Sequence, residues 1–199
     1  SVAPYEESAK HAPGDPIQVV SVGRLIEKKG YFKQLKIYQA WANRGIQFEA
    51  WIVGEGPLKS TLKAAIQSAG LEHSVRLLGK LEYREVVELY RRGSCFLFTG
   101  LVSDSGDRDG FPNVIGEAMA HSLPVFSTDV SGTTEGVLDG VRGTIIDIEA
   151  PQAAAARILE VLEDTERLES MTRAAHEWIL SEFQVASNIA ELRRALWED

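Results

Sequence analysis

The sequence is poor in the residues on which several protein classes depend. A single cysteine, Cys95, among 199 residues rules out an internal disulfide bond and favours a reducing compartment. No apolar run approaches the roughly 20 residues of a membrane-spanning helix, and residues 1–16 contain no apolar segment of the signal-peptide type. Lys and Arg number 21 against 29 Asp and Glu, which gives a net charge of −8. That balance argues against general nucleic-acid binding but leaves room for a local basic pocket.

The side-chain sets of several common catalytic sites are also missing. The histidines are scattered, without an H-E-x-x-H motif or a Cys/His pairing, so the sequence indicates no zinc site; they are His11, His73, His121 and His176. No G-x-S-x-G motif is present. Cys95 begins an apolar segment, and we interpret it as a buried small hydrophobic residue rather than a nucleophile.

Two kinds of segment alternate along most of the chain. Residues 1–16 hold Pro and Gly without periodicity, so we interpret them as a linker or leading arm before one domain over 17–199. Short β-rich runs occupy 17–23, 48–54, 74–79, 95–100, 124–128 and 143–148. Helical spacing separates most of them, and after Ala150 it predicts helices at 151–163, about 166–182 and 186–197. This order predicts an α/β fold, a Rossmann-like open parallel six-stranded sheet with helices on both faces, followed by C-terminal helices.

The helical segment at 31–45 shows the kind of face that we expect to be buried. Its helical spacing puts Phe32, Leu35, Tyr38 or Gln39, and Ala42 on one face, and Gly45 ends the segment. We therefore expect this face to pack against the sheet.

The loop after the first strand, at 22–30, carries candidate anion-binding residues. Ligands of such sheets bind beyond the carboxyl ends of the strands, where the strand order reverses. Gly23 permits a tight turn there, and Arg24 and Lys29 offer a planar fork and a mobile charge to phosphate oxygens. The alternative is a solvated basic turn, which is our interpretation for the nearby lysines Lys28, Lys33 and Lys36.

The loop after the second strand, V-G-E-G-P at 53–57, admits two interpretations. Gly54 fits a phosphate-binding glycine turn, although no G-K-S/T sequence follows it. A tight turn into a helix that begins at Pro57 explains the same residues.

The segment D-G-F-P-N-V-I-G-E-A-M-A, at 109–120, follows the fourth strand. Phe111 precedes a proline and is biased away from helical geometry, while Pro112 suits the first helical position. The free amides around Asn113 and Val114 would then face the strand ends, as in helix N-termini that bind phosphate.

Two acids flank that helix start, Asp109 outside it and Glu117 about one turn inside. Ionised carboxylates only accept hydrogen bonds, so sugar and ribose hydroxyls are suitable partners for them. The alternatives are helix capping for Asp109 and a solvent-facing first-turn acid for Glu117. After the fifth strand, Thr133 and Thr134 fit either a capping box or a ligand-facing role.

Six motifs in this order resemble a known family: V-G-R-L-x3-K-G (22–30), V-G-E-G-P (53–57), L-L-G-K-L (77–81), the segment 109–120, P-V-F-S-T (124–128) and G-T-T-E-G-V (132–137). From Ile17 to about Phe183, the chain resembles the C-terminal, donor-binding domain of a retaining glycosyltransferase of the GT-B fold, family four (group 1 type). The insert at 103–110 is similar to the exopolysaccharide or colanic-acid-type branch.

The resemblance implies roles for the candidate residues. Arg24 and Lys29 would bind the diphosphate of a nucleotide-sugar and stabilise it as the leaving group, without a metal ion. Asp109 would lie near the transferred sugar, and Glu117 would accept hydrogen bonds from the ribose. The remaining donor-binding positions would be Gly23, Gly54, Leu81 near the base, and Phe111, Pro112, Asn113 and Val114, whose backbone would hold the sugar or the distal phosphate.

Two positions depart from the family pattern. Asp109 stands where the family usually has Glu, which is one methylene longer. Ser122 replaces the glycine of a G-x-P turn, and we expect that change to be harmless.

The resemblance also implies a whole enzyme. It would transfer a hexose from a UDP- or GDP-sugar, without a cofactor, to an acceptor sugar or lipid-linked saccharide in polysaccharide or glycolipid synthesis. A missing N-terminal domain would carry the acceptor contacts, and the helix at 186–197 would pack toward it. The enzyme would be cytoplasmic, or peripheral at the inner membrane face through the absent domain. The chain alone should bind nucleotide and transfer nothing.

Three other functions compete with this one. A non-catalytic nucleotide-sugar-binding module is favoured by Asp109 in place of Glu. A sugar-nucleotide epimerase of the same two-domain fold is disfavoured, because its motifs differ. A structural or partner-binding α/β domain would bind no nucleotide at all.

Overall fold

The computed structural model describes Tyr5 and residues 15–101, 111–130 and 132–197, with the backbone alone over 183–197. Within these ranges the strands are β1 (Ile17–Val22), β2 (Phe48–Val53), β3 (Val75–Gly79), β4 (Cys95–Phe98), β5 (Val125–Ser127) and β6 (Thr144–Ile145). The helices are α1 (Tyr31–Asn43), α2 (Lys59–Ser68), α3 (Tyr83–Arg92), α4 (Asn113–Ala120), α5 (Thr133–Gly136), α6 (Pro151–Glu163) and α7 (Thr165–Trp197). A 3-10 turn over Glu27–Lys29 precedes α1.

The strands form one parallel sheet in the order β3-β2-β1-β4-β5-β6. The strand order reverses between β1 and β4, where Val20 pairs with Phe96. The carboxyl ends of these two strands therefore border the crevice in which such sheets bind ligands. We call the side of the sheet where the strands end the carboxyl edge. The predicted fold class is confirmed.

Successive side chains of a strand point to opposite faces of the sheet and pack in two separate hydrophobic cores. In β1, Val19 belongs to a core shared with α1, α2 and α6, and Val20 belongs to a core shared with α3 and α4. Both residues are fully buried. Helices thus cover both faces of the sheet, as predicted.

The buried face of α1 differs in part from the prediction. Leu35 is buried, but Ala42 is exposed and Phe32 keeps 36% of its surface exposed. Trp41 lies inside instead, and its indole Nε1 donates a hydrogen bond to the carbonyl of Ala155 on α6, at 2.9 Å. The need to bury and pair this large side chain against α6 sets the rotation of α1, which the apolar spacing alone does not reveal.

A single helix, α7, replaces the two helices predicted at about 166–182 and 186–197. The sequence from 165 to 197 contains no Gly or Pro, so nothing in it interrupts helical hydrogen bonding. Leu168 and Met171 of α7 pack in the first core, whereas Ala175 and Ile179 pack in the second. The helix therefore passes from one face of the sheet to the other.

Tyr5 ties the leading arm to α7. Its hydroxyl lies 3.2 Å from Thr172 Oγ1, and its ring meets His176 edge-on with centroids 5.6 Å apart. Of the segment that we interpret as a leading arm, residues 1–4 and 6–14 lie outside the described residues. No helix of the described chain is long and apolar enough to cross a membrane.

Candidate nucleotide-binding site

The loop between β1 and α1 places Arg24 and Lys29 differently. Arg24 is exposed, and its side chain makes no hydrogen bond or ion pair with the part of the chain that the structure describes. Lys29 is half-buried, and its Nζ lies 5.1 Å from the centroid of the Phe98 ring, at the end of β4. Its aliphatic stem passes Gly23, where an added Cβ would lie 3.9 Å from Lys29 Cδ. Lys29 is thus held at the strand-order reversal, while Arg24 is free to turn toward a ligand.

The backbone of this loop is fastened to the segment that follows β4. Thr99 Oγ1 donates to the Lys29 carbonyl at 3.1 Å, and the Leu101 amide donates to the Lys28 carbonyl at 2.8 Å. Gly30 has φ 66°, and a Cβ there would lie 1.8 Å from the Thr99 carbonyl oxygen. A glycine is required at this contact, and it fixes the start of α1 against β4.

Gly54 serves the packing of two loops. It has φ 142°, and a Cβ there would lie 1.9 Å from the Gly23 carbonyl oxygen. The Leu25 amide also donates to the Glu55 carbonyl, at 2.9 Å. These contacts account for V-G-E-G-P as a tight turn, with α2 beginning at Lys59 and not at Pro57 as predicted. Gly54 therefore supports the loop that carries Arg24 and Lys29.

Helix α4 begins next to β4, as the sequence indicates. Pro112 is the N-cap residue, with φ −67° and ψ 119°, and Asn113 is the first helical residue, one position later than predicted. The Ile115 amide donates to the Pro112 carbonyl at 2.9 Å. The amides of Asn113 and Val114 precede this bond and have no intrahelical acceptor. They give the N-terminal end of the helix its partial positive charge at the carboxyl edge.

The side chain of Phe111 packs against neighbouring helices. Its ring meets Trp178 of α7 edge-on, with centroids 5.3 Å apart. A Cβ on Gly136 would lie 2.2 Å from the Phe111 ring, so the ring is seated against α5. The half-buried ring of Phe111 is therefore held by α5 and α7.

Glu117 and Leu81 lie on the same face of the sheet. Glu117 is half-buried, and Tyr90 of α3 donates a hydrogen bond from its hydroxyl to Glu117 Oε2 at 3.2 Å. Leu81, between β3 and α3, is half-buried and packs against the second core. Burial, together with the charge of Glu117, raises the pKa of Tyr90 far above its ordinary value. The phenol therefore remains a donor at any physiological pH.

Three sequence-based interpretations have distinct outcomes. Asp109 lies outside the described residues, as does all of 102–110. The Thr133 hydroxyl donates to the carbonyls of Thr128 (2.9 Å) and Val130 (2.7 Å), which makes it a structural group and not a ligand-facing one. Cys95 is 1% exposed, and burial raises the pKa of its thiol, as expected for a packed hydrophobic residue.

Two residues that the sequence does not single out form hydrogen bonds with the candidate groups. Thr99 lies just past β4, and Tyr90 lies on the buried face of an amphipathic helix. Each looks like an ordinary core residue, because only the fold brings its hydroxyl to Lys29 or Glu117. No local signal in the sequence reveals these contacts.

Comparison with known proteins establishes the family. The profile described as "Glycosyl transferases group 1" matches residues 5–178. The chain belongs to the glycosyl transferase group 1 family. It is 34% identical over 173 residues to the putative colanic acid biosynthesis glycosyltransferase WcaL of Salmonella typhimurium, covering 86% of this chain and 43% of the relative. The chain thus spans less than half the length of that curated relative.

Two solved structures of glycosyltransferases share the fold. HepE from Anabaena, in complex with UDP and glucose, is 25% identical with a TM-score of 0.73, over 89% of this chain and 48% of that one. The C-terminal domain of the group 1 family protein LpcC from Francisella tularensis is 18% identical with a TM-score of 0.68, over 84% of this chain and 86% of that domain. The resemblance to the C-terminal domain of GT-B glycosyltransferases is confirmed.

Proposed function

We propose that this chain is the donor-binding domain of a retaining glycosyltransferase that transfers a hexose from a UDP- or GDP-sugar to an acceptor hydroxyl. The observation that carries the proposal is the position of Lys29 against the end of β4, where the strand order reverses. Helix α4 is the next helix after β4 in the described chain. A fixed cation and an open helix N-terminus supply positive potential at one edge of the sheet. A nucleoside diphosphate is the ligand class that such a site favours.

The same groups suit the departure of a diphosphate. Negative charge accumulates on the leaving diphosphate as the glycosidic bond to the donor breaks, and positive groups that are already in place stabilise it. In our proposal Lys29 and the mobile Arg24 neutralise this charge without a metal ion or another cofactor. Glu117 orients the nucleotide through the ribose, and Asp109 works at the transferred sugar.

We infer a role in polysaccharide or glycolipid synthesis from the similarity to WcaL, which bears the name of colanic acid biosynthesis. The nucleotide-sugar as substrate is supported by HepE, whose structure holds UDP and glucose. A second domain would supply the acceptor contacts, for a sugar or a lipid-linked saccharide. A cytoplasmic site of action, at the inner membrane face, belongs to the same proposal.

A thermal-shift panel of UDP, GDP, ADP and their sugars tests donor binding by this chain. Ligand present at about 100 times its Kd stabilises the fold by about 2.7 kcal/mol, so the true donor should raise Tm most. Lys29→Ala should reduce the shift to about half or less, and Lys36→Ala, on the exposed side of α1, should leave it unchanged. Absence of any shift with wild-type chain, together with no heat of binding by calorimetry, contradicts the proposal.

A second experiment separates the enzyme from its competitors. The full-length parent should form a glycosidic product with the best donor, and Asp109→Ala should remove most of that activity. Binding without transfer in the parent would favour a non-catalytic module. Conversion of the donor sugar to its epimer without acceptor would favour an epimerase. The chain alone should bind donor and yield no product.

A further inference from the structure

Tyr90 and Glu117 form a partly buried contact between two helices, α3 and α4. Tyr90 lies on α3 and Glu117 on α4, and the Tyr90 hydroxyl donates to Glu117 Oε2 at 3.2 Å. Tyr90 is 1% exposed, whereas Glu117 is half-buried. The contact therefore joins a fixed phenol to a carboxylate that keeps access to solvent.

The Tyr90 ring is held from two sides. It stacks on the His121 ring, with centroids 5.8 Å apart and planes at 27°. It also meets the ring of Phe96 edge-on, with centroids 6.0 Å apart, and Phe96 is fully buried in β4. His121 directly follows α4. The phenol is thus positioned by the strand and the helix that border the nucleotide site.

A carboxylate has more acceptor positions than Tyr90 uses. Its two oxygens offer about four lone-pair sites, of which one hydrogen bond occupies one. An exposed Glu side chain would otherwise rotate among several rotamers and lose that freedom on binding a ligand. Because the Tyr90 hydroxyl already restrains one oxygen of Glu117, less side-chain conformational entropy is lost when a ligand binds.

We propose that Tyr90 is a positioning residue that orients the Glu117 carboxylate toward the ribose hydroxyls of the bound nucleotide, and this inference rests on the proposed function. Tyr90 itself does not touch the ligand. Its effect must therefore depend on the ribose hydroxyls and must require Glu117.

The test measures how strongly this chain prefers a nucleotide with ribose 2′- and 3′-hydroxyls to the same nucleotide without them. Calorimetry gives the affinities for UDP and GDP and for the 2′,3′-dideoxy form of each. Wild-type chain should prefer the ribonucleotide, and Glu117→Gln should abolish most of that preference. Tyr90→Phe should reduce the preference about five- to tenfold while leaving the affinity for the dideoxy form unchanged.

The double variant and a matched control complete the design. Tyr90→Phe in the Glu117→Gln background should cause no further loss, because the two residues act through one carboxylate. Tyr38→Phe removes a buried, hydrogen-bonded hydroxyl from α1 in the other core, and it should leave the preference intact.

The failures of the two proposals give different results. If wild-type chain binds neither UDP nor GDP, the proposed function is wrong and the inference falls with it. If Glu117→Gln loses the preference but Tyr90→Phe keeps it, only the positioning role is wrong. If Tyr90→Phe weakens both forms of the nucleotide equally, Tyr90 has a structural role only, which also overturns the inference.

Discussion

The ammonium of Lys29 faces the Phe98 ring, with Nζ 5.1 Å from the ring centroid, although the two residues are 69 positions apart in the sequence. An aromatic face attracts a cation, so the Phe98 ring helps to hold the Lys29 side chain at the end of β4. The contact therefore keeps the ammonium at the strand-order reversal.

Replacement of Lys29 should weaken the binding of diphosphates specifically. Lys29→Ala should lower the affinity for the best of UDP and GDP by about tenfold or more, because one charge-assisted contact is lost. Binding of the corresponding nucleoside, measured by saturation-transfer NMR, should change little. Equal losses for nucleotide and nucleoside would contradict a phosphate contact.

Removal of the Thr99 hydroxyl should loosen the same loop. Thr99→Val keeps the shape of the side chain but leaves the Lys29 carbonyl without its donor, which should destabilise the fold by about 1 kcal/mol. Nucleotide affinity should fall as well, since Lys29 is less well held. Thr99→Ser restores the donor and should recover both properties, as measured by urea unfolding and calorimetry. Full affinity in Thr99→Val would show that this bond does not position Lys29.

Gly54 should tolerate no side chain. Gly54→Ala combines a backbone with φ 142° and a Cβ placed 1.9 Å from the Gly23 carbonyl oxygen, and it should lower the free energy of unfolding by about 3 kcal/mol or more. Gly45 is a matched control, because it has φ 71° but nothing within 4 Å of an added Cβ. Gly45→Ala should cost about 1 kcal/mol. Similar losses in urea unfolding of the two variants would contradict the steric argument.

Ser122 should be a position at which glycine stabilises the fold. Its φ is 57°, it is 1% exposed, and its Oγ has no hydrogen-bond partner among the described residues. Ser122→Gly should raise the free energy of unfolding by about 1 kcal/mol, because it relieves the left-handed strain and the unpaired hydroxyl. Ser122→Ala removes only the hydroxyl and should gain less. A destabilised Ser122→Gly variant in urea unfolding would show that this serine is neutral or favourable.

Asp139 should contribute to stability only above acidic pH. Burial alone would raise the pKa of its carboxyl, but the Ile145 amide (2.8 Å) and Arg157 (2.9 Å) outweigh that effect and lower the pKa. A lowered folded pKa stabilises the fold above the unfolded value of about 3.9, and the contribution disappears as pH falls through the folded pKa.

Thermal melts across pH test this dependence. Asp139→Asn should lower Tm at pH 7, and the difference from wild type should shrink below about pH 4. The exposed Glu72, changed to Gln, should show little difference at either pH. A difference for Asp139→Asn that is constant with pH would contradict an electrostatic origin.

The order of β-rich runs and helical segments was sufficient to predict a parallel sheet. Each β-rich run overlaps an observed strand, because strands buried on both faces require continuous apolar runs in this architecture. Lys29, Pro112 and Glu117 could be chosen in advance, since parallel strands bring the segments that follow them to one edge. The rotation of α1 and the continuity of α7 could not be predicted in the same way.

The remaining errors and omissions have long-range causes. The rotation of α1 depends on the Trp41 contact with Ala155, which lies 114 residues away. The strain at Ser122 arises from a turn whose φ is visible only in three dimensions, so our expectation of a harmless change did not foresee it. Tyr90 and Thr99 matter through single hydroxyl contacts that no periodicity encodes.

The packing of the Phe111 ring between Gly136 and Trp178 has a practical consequence for the construction of chimeric transferases. Segment 102–110 is bounded on one side by Leu101, whose amide binds the Lys28 carbonyl, and on the other by the anchored Phe111 ring. These two residues are natural splice points, between which a graft from a related transferase would leave the scaffold intact. A graft that exchanged Phe111 as well would require matched residues at 136 and 178. These three positions should therefore be exchanged together.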